Sequence, residues 1–160
     1  MQIKNSRIIN IIIFFVLVAF NLDLNAEEFN ITAKEILIDK ENQTLVGKGN
    51  VKAIDSDGNL INASKITYEK SREFLLAEGV VKITDKDGNL IETEKATFDK
   101  LNEIIITYDN TKIIMKDGYQ LTSKNVLYDA GKKILSSNKK TILNDKDGNI
   151  IETNMFQFDI

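Results

Sequence analysis

Carboxylates are the residues with most chemistry to offer, and they recur. Asp-x-Asp-Gly-Asn stands at residues 55–59, 85–89 and 145–149. Such a cluster of acids and carbonyls suits a hard cation such as calcium. The EF-hand spacing is not met, because Ala53, Ile83 or Leu143 occupies the place of its first ligand. A hairpin turn is the simpler reading, since Gly accepts positive φ and Asp bonds its own backbone. The third copy, Lys116-Asp117-Gly118-Tyr119, drops one acid and keeps the Gly, as a turn requires and a metal site does not.

Paired carboxylates for acid–base catalysis are the next possibility. These acids repeat along the chain, whereas an active site is a single constellation. The chain has no His and no Cys, which excludes most zinc and copper sites, His-activated nucleophiles, thiol redox chemistry and c-type haem attachment. No catalytic residue, cofactor or metal is therefore expected. Glu69, Asp99, Asp129 and Asp159 each follow an aromatic residue and read as strand ends. The aromatic column Tyr68, Phe98, Tyr128 and Phe158 reads as core, or as one wall of an apolar groove. Each CH₂ buried in such a groove contributes roughly 0.8 kcal/mol.

The elements that would hold these residues repeat every 30 residues. Asp57-Gly58, Asp87-Gly88, Asp117-Gly118 and Asp147-Gly148 keep that step, as do the aromatic–acid pairs, with Ile38-Asp39 as a partial leading copy. Apolar columns run through Ile31, Ile61, Ile91, Leu121 and Ile151, and through Leu45, Leu75, Ile105 and Leu135. A column of small or hydroxyl residues runs through Ala33, Ala63, Thr93, Ser123 and Thr153. A fixed period of this length marks stacked supersecondary units. Each unit alternates with period two, as half-buried strands do. Ile61 and Ala63 share the parity of Val51 and Ala53, but Ile66 and Tyr68 lie on the other, so a bulge or sharp bend is expected near Ser64-Lys65. The expected fold is all-β: eight or nine antiparallel strands, each bent midway, in four units of about 30 residues. They form a jelly roll or a solenoid-like slab with an apolar channel.

Residues 1–26 read as a signal peptide. Lys4 and Arg7 precede the apolar run Ile8–Phe20, and Leu24-Asn25-Ala26 offers a cleavage site. The rival is retention as an uncleaved membrane anchor. Without Lys4, Arg7 and Asp23, the 21 basic and 24 acidic residues fall to 19 and 23, a net charge of −4. Residues 27–160 thus form a mildly acidic exported domain, a poor match to nucleic acid.

The units carry a further signature. Leu45-Val46-Gly47-Lys48-Gly49-Asn50-Val51 is followed by Ile61-Asn62-Ala63-Ser64-Lys65-Ile66-Thr67-Tyr68, and a second copy runs from Ala77-Glu78-Gly79-Val80-Val81 to Thr97-Phe98. This pattern, over essentially all of residues 28–160, resembles the organic-solvent-tolerance (OstA), or LptA-like, family. The stretch from Val126 to Thr141 is most similar to the N-terminal periplasmic domain of LptD, the outer-membrane lipopolysaccharide assembly protein. The resemblance implies a β-jelly roll that stacks edge to edge with others and passes lipopolysaccharide along an apolar groove, without catalysis. Its implied location is the periplasm, in association with the outer membrane. Groove candidates are then Ile36, Ile38, Ile61, Ile66, Tyr68, Ile91, Phe98, Leu121, Val126 and Tyr128. Ile151, Thr153, Phe156 and Phe158 are candidates for docking a partner sheet on the last strand. Implied partners are lipopolysaccharide acyl chains and other jelly-roll domains, with an outer-membrane barrel as a further one. Two alternatives stay open, a free-standing carrier and part of a longer LptD-type protein. The competing functional class is a structural β-repeat protein that makes protein contacts and binds no lipid.

Overall fold

The computed structural model describes residues 29–159, so the export segment expected over 1–26 lies outside the described residues. Runs rich in Val, Ile, Thr and aromatics form fourteen strand segments. They are β1 (Asn30–Thr32), β2 (Glu35–Asp39), β3 (Thr44–Ile54), β4 (Leu60–Glu69), β5 (Phe74–Thr84), β6 (Leu90–Asp99), β7 (Ile104–Tyr108), β8 (Asn110–Ile114), β9 (Gln120–Lys124), β10 (Leu127–Asp129), β11 (Ile134–Ser137), β12 (Thr141–Asn144), β13 (Ile150–Thr153) and β14 (Phe156–Asp159). Among the described residues a single 3₁₀ turn, Lys70–Arg72, joins β4 to β5.

These segments are nine bent strands. β3 to β6 run unbroken through their bends, while β1/β2, β7/β8, β9/β10, β11/β12 and β13/β14 are interrupted there. One half-sheet has the order β2, β3, β4, β5, β6, β7, β10, β11, β14, using residues 44–48, 65–69, 74–78 and 95–99 of the long strands. The other has the order β1, β3, β4, β5, β6, β8, β9, β12, β13 and uses the remaining halves. All pairings are antiparallel. The result is one ladder folded on itself into the two facing layers of a jelly roll.

The fold line is a row of bulges. Lys48 pairs with Lys65 and Val51 with Ala63, so Gly49 and Asn50 together oppose Ser64. Gly79 and Val80 likewise stand against Glu94, between the pairs Glu78–Lys95 and Val81–Thr93. The extra residue is accommodated by left-handed backbone, with φ of 75° and 51° at Gly49 and Asn50, and 72° and 49° at Gly79 and Val80. Because β4 contributes one residue where β3 contributes two, β4 changes parity at Ser64, as the sequence pattern requires. Space is tight here. Ser64 Oγ donates to the Gly79 carbonyl at 2.8 Å, and a Cβ on Gly79 would approach that Oγ to 2.9 Å.

Later bends carry hydroxyls in place of small apolar residues. Thr111 Oγ1 donates to Thr107 Oγ1 at 2.7 Å, Ser123 and Thr141 share a hydrogen bond of 2.7 Å, and Ser137 Oγ donates to the Lys124 carbonyl at 2.7 Å. No buried side-chain nitrogen or oxygen among the described residues lacks a partner, so these polar bends avoid the desolvation penalty of an unmade bond.

Opposite the fold line lie the turns, and their acids are structural. Asp55, Asp85 and Asp145 each accept the backbone N–H of Asn59, Asn89 and Asn149 at 2.7–2.8 Å, and the same Asn amide at 2.6–2.8 Å. That staple, with Gly58, Gly88 and Gly148 at φ of 86–93°, accounts for Asp-x-Asp-Gly-Asn. On the other layer Asp39, Asp99 and Asp129 accept the N–H three residues on, from Asn42, Asn102 and Lys132. These turns also bond to each other: the carbonyls of Gln43, Glu73 and Glu103 accept the N–H groups of Lys70, Lys100 and Ala130 at 2.9–3.1 Å.

Two properties of the bends and turns are measurable. Val80 is a β-branched, 72% exposed residue in left-handed backbone, where its counterpart in the preceding unit is Asn50. Val80→Asn should raise unfolding stability by about 1 kcal/mol, and Gly79→Ala should lower it by about 1–3 kcal/mol, in urea titrations. The second concerns acid. Hydrogen bonds from Asn149, and then from the turn backbone, hold the Asp145 carboxyl below its ordinary value of 3.8; Asn42 and Lys132 do the same for Asp39 and Asp129. A depressed native pKa gives stability that is complete above 3.8 and lost as pH falls through the lower native value. Asp145→Asn should therefore be less stable than the parent at neutral pH, with the difference vanishing in strong acid; a difference that persists there would contradict this assignment.

Candidate functional site

Register builds the site. On one layer Ile38, Leu45, Tyr68, Leu75, Phe98, Ile105, Tyr128, Leu135 and Phe158 are successive cross-strand partners. On the other, Ile31, Ala53, Ile61, Ile83, Ile91, Ile113, Leu121, Leu143 and Ile151 do the same. Partners in a ladder share a face, so each layer turns one unbroken apolar row toward the other. At the usual strand spacing each row is about 38 Å long.

Between the rows lies a groove of about 1310 Å³, larger than the ~300–1,000 Å³ of an ordinary small-molecule pocket. Its walls include Phe29, Ile83, Ile91, Phe98, Ile105, Ile113, Met115, Tyr128, Leu135 and Phe158. Its rim is the stapled turns, with Asp55, Asp57, Asp85, Asp87 and Asp117 on one layer and Glu73, Asp99, Glu103 and Asp159 on the other; Lys86, Lys100 and Lys116 are the cations there. Burial, followed by Asp85, Asp87 and Glu103, pushes the Tyr128 hydroxyl above its ordinary range, so it stays protonated. The outer faces are polar, as in the Lys82–Glu92 ion pair at 2.7 Å. Such a groove can take hydrocarbon inside and keep polar groups at its mouth in water.

The expected groove residues divide into three sets. Ile91, Phe98 and Tyr128 line the open groove. Ile61, Ile66, Tyr68, Leu121 and Val126 are buried in the two hydrophobic clusters between the layers. Ile36 and Ile38 have the inward register, opposite Gly47 and Leu45, but are 42% and 66% exposed. The facing layer ends there in the three-residue β1 and does not cover them. The four expected docking residues also face inward. Ile151 and Phe158 end the two rows, while Thr153 and Phe156 pair with Thr141 and Ser137 nearer the bend. The free edge is therefore their backbone, since neither β13 nor β14 has a second partner among the described residues.

Sequence reasoning missed Phe29, Ile83, Ile105, Ile113, Met115 and Leu135 as groove lining. The signal for two of them was present, because the Leu45–Leu75–Ile105–Leu135 column interleaves with the aromatic column to make a single row. Nothing periodic marks Phe29. It reaches from the start of β1 across to the other layer, packing edge-on against Tyr68 (centroids 5.5 Å apart) and Phe98 (6.3 Å).

No family model matches the sequence, and no curated protein matches it. Among solved structures, the fold is similar to LptH of Pseudomonas aeruginosa, described as the LptA-homologous periplasmic component of a lipopolysaccharide transport device. The likeness has a TM-score of 0.63 at 12% identity, over 79% of this chain and 94% of that one. A likeness at that identity speaks to architecture, and the architecture it establishes is the LptA-type β-jelly roll.

Proposed function

We propose that this chain is a periplasmic lipopolysaccharide-binding transport module, exported and associated with the outer membrane, that passes the lipid along its groove. The observation that carries this reading is the pair of facing apolar rows, continuous over nine strands and open along one side. Acyl chains lie between the rows while the sugars stay outside the turns. Transport of this kind needs no catalytic group, only a continuous surface on which the chains move from one cross-strand pair to the next. Affinity comes from hydrocarbon burial, roughly 0.8 kcal/mol per CH₂, because the rim is mainly acidic and does not attract a phosphorylated headgroup. The description of LptH as a component of a lipopolysaccharide transport device supports the reading.

The same rows suggest how modules connect. Their ends at β2 and at β13/β14 are exposed, with Ile38 at 66%, Ile151 at 55% and Phe158 at 38%. Strand addition at such an edge joins the backbone ladders and the apolar rows at once. In this reading the partner is another jelly-roll domain of the same transport line, with an outer-membrane barrel as the line's end. Assignment to an LptD-type protein predicts a barrel-encoding frame beyond Ile160, and a free-standing carrier predicts a stop codon there.

Photo-crosslinkers at Ile91, Phe98 and Tyr128 should give adducts with lipopolysaccharide in cells, and one at Thr122, exposed on the outer face, should give none. Adducts only from Thr122, or from nowhere, would overturn the lipid reading and leave the protein-contact class. Gln157→Pro, placed on the terminal edge strand, should abolish concentration-dependent association measured by light scattering. If the parent stays monomeric at high concentration and the variant still supports transport, edge docking is wrong.

A further inference from the structure

The groove is not uniformly open. Phe29 is 8% exposed although it precedes the first strand, and its ring lies between the layers against Tyr68 and Phe98. Lys100 Nζ lies over that ring, 5.8 Å from its centroid. Phe29 and Phe98 line the open volume, whereas Tyr68 does not and is 6% exposed behind them. The apolar rows continue past this point to Leu45 and Ile38 on one layer and to Ala53 and Ile31 on the other. One side chain from the leading segment therefore occupies the space beside the rows at this section.

We propose that Phe29 is an internal occupant of an acyl subsite formed with Tyr68 and Phe98, and that a hydrocarbon chain entering the leading half of the groove displaces it. This rests on the lipid-carrying reading above. The physical basis is substitution of like for like. An aromatic ring and an alkyl chain compete for the same apolar walls, so the ring fills the space beside Tyr68 until a chain replaces it. Among the described residues, the backbone at Phe29 is held through the three-residue β1 that follows it. Its exit breaks two edge-to-face ring contacts and one cation–π contact, with no hydrogen bond of its side chain to lose.

The chain contains no Trp, so a substituted Trp is a sole reporter. Phe29→Trp reports the closed half and Met115→Trp the open half, each titrated with laurate below its micelle concentration, with circular dichroism confirming the fold. Saturable signals are expected from both, with Phe29→Trp shifting to the red and becoming open to acrylamide quenching. Adding Phe29→Ala to the Met115→Trp background should tighten laurate binding about ten-fold, because the competing ring is gone. That variant also supplies an independent reading if Phe29→Trp does not fold. A saturable Met115→Trp signal with an unmoved Phe29→Trp, or with unchanged or weaker binding after Phe29→Ala, would make Phe29 a fixed core residue and overturn the proposal while leaving the lipid reading intact. No response from either reporter in folded protein would overturn both.

Discussion

Two residues of β3 and of β5 stand opposite one of β4 and of β6 where these long strands leave one layer and enter the other, and this mismatch turns a flat ladder into a folded one. Left-handed backbone at Gly49-Asn50 and Gly79-Val80 supplies the extra length within the hydrogen-bonded register. The parity change at Ser64 then lets both arms of a strand point inward. If the bulge is removed, one arm of each strand faces its apolar row to water. The two-layer core, the groove and the stacking of turns all require this local irregularity.

The volume between the layers widens away from the bends. Near the fold line small residues such as Gly47, Ala63, Ala77 and Ala96, or hydroxyls bonded to one another, stand among Val51, Ile66, Val81 and Val126. At the next positions outward, Ile, Leu and aromatic side chains form the rows. An ordinary sandwich fills such a space with side chains from both sheets until it reaches the packing density of an organic crystal. Here the side chains do not fill the space toward the turns, leaving a groove of about 1310 Å³. Stability must then come from the closed inner part of the wedge and from the ladder. The stapled turns add rigidity at the rim, where the wedge would otherwise open.

Much of this was legible in the sequence. The columns at a spacing of 30 marked units, the Asp-Gly pairs marked turns, and the parity change located the bend at Ser64. The acids following the aromatics were legible as strand ends, although their bonds to the residue three positions on were not. What could not be read was which inward residues meet open space. Ile61 and Ile91 occupy the same column and face the same way, yet Ile61 is sealed and Ile91 lines the groove. Ile36 and Ile38 have the right parity and are exposed, because exposure depends on how far the opposite layer extends.

Period, turns, bends and the inward set follow from the chain alone, because each is a local property: a φ preference, a hydrogen bond within five residues, an alternation of two. Tertiary structure decided the rest. The interleaving of two sequence columns into one row is a matter of register between strands. Phe29, a single aromatic outside the repeat, meets Tyr68 and Phe98 only because the segment before β1 lies across from their layer. A side chain's neighbours across a gap are set by the separation of two sheets, and no local pattern encodes that distance.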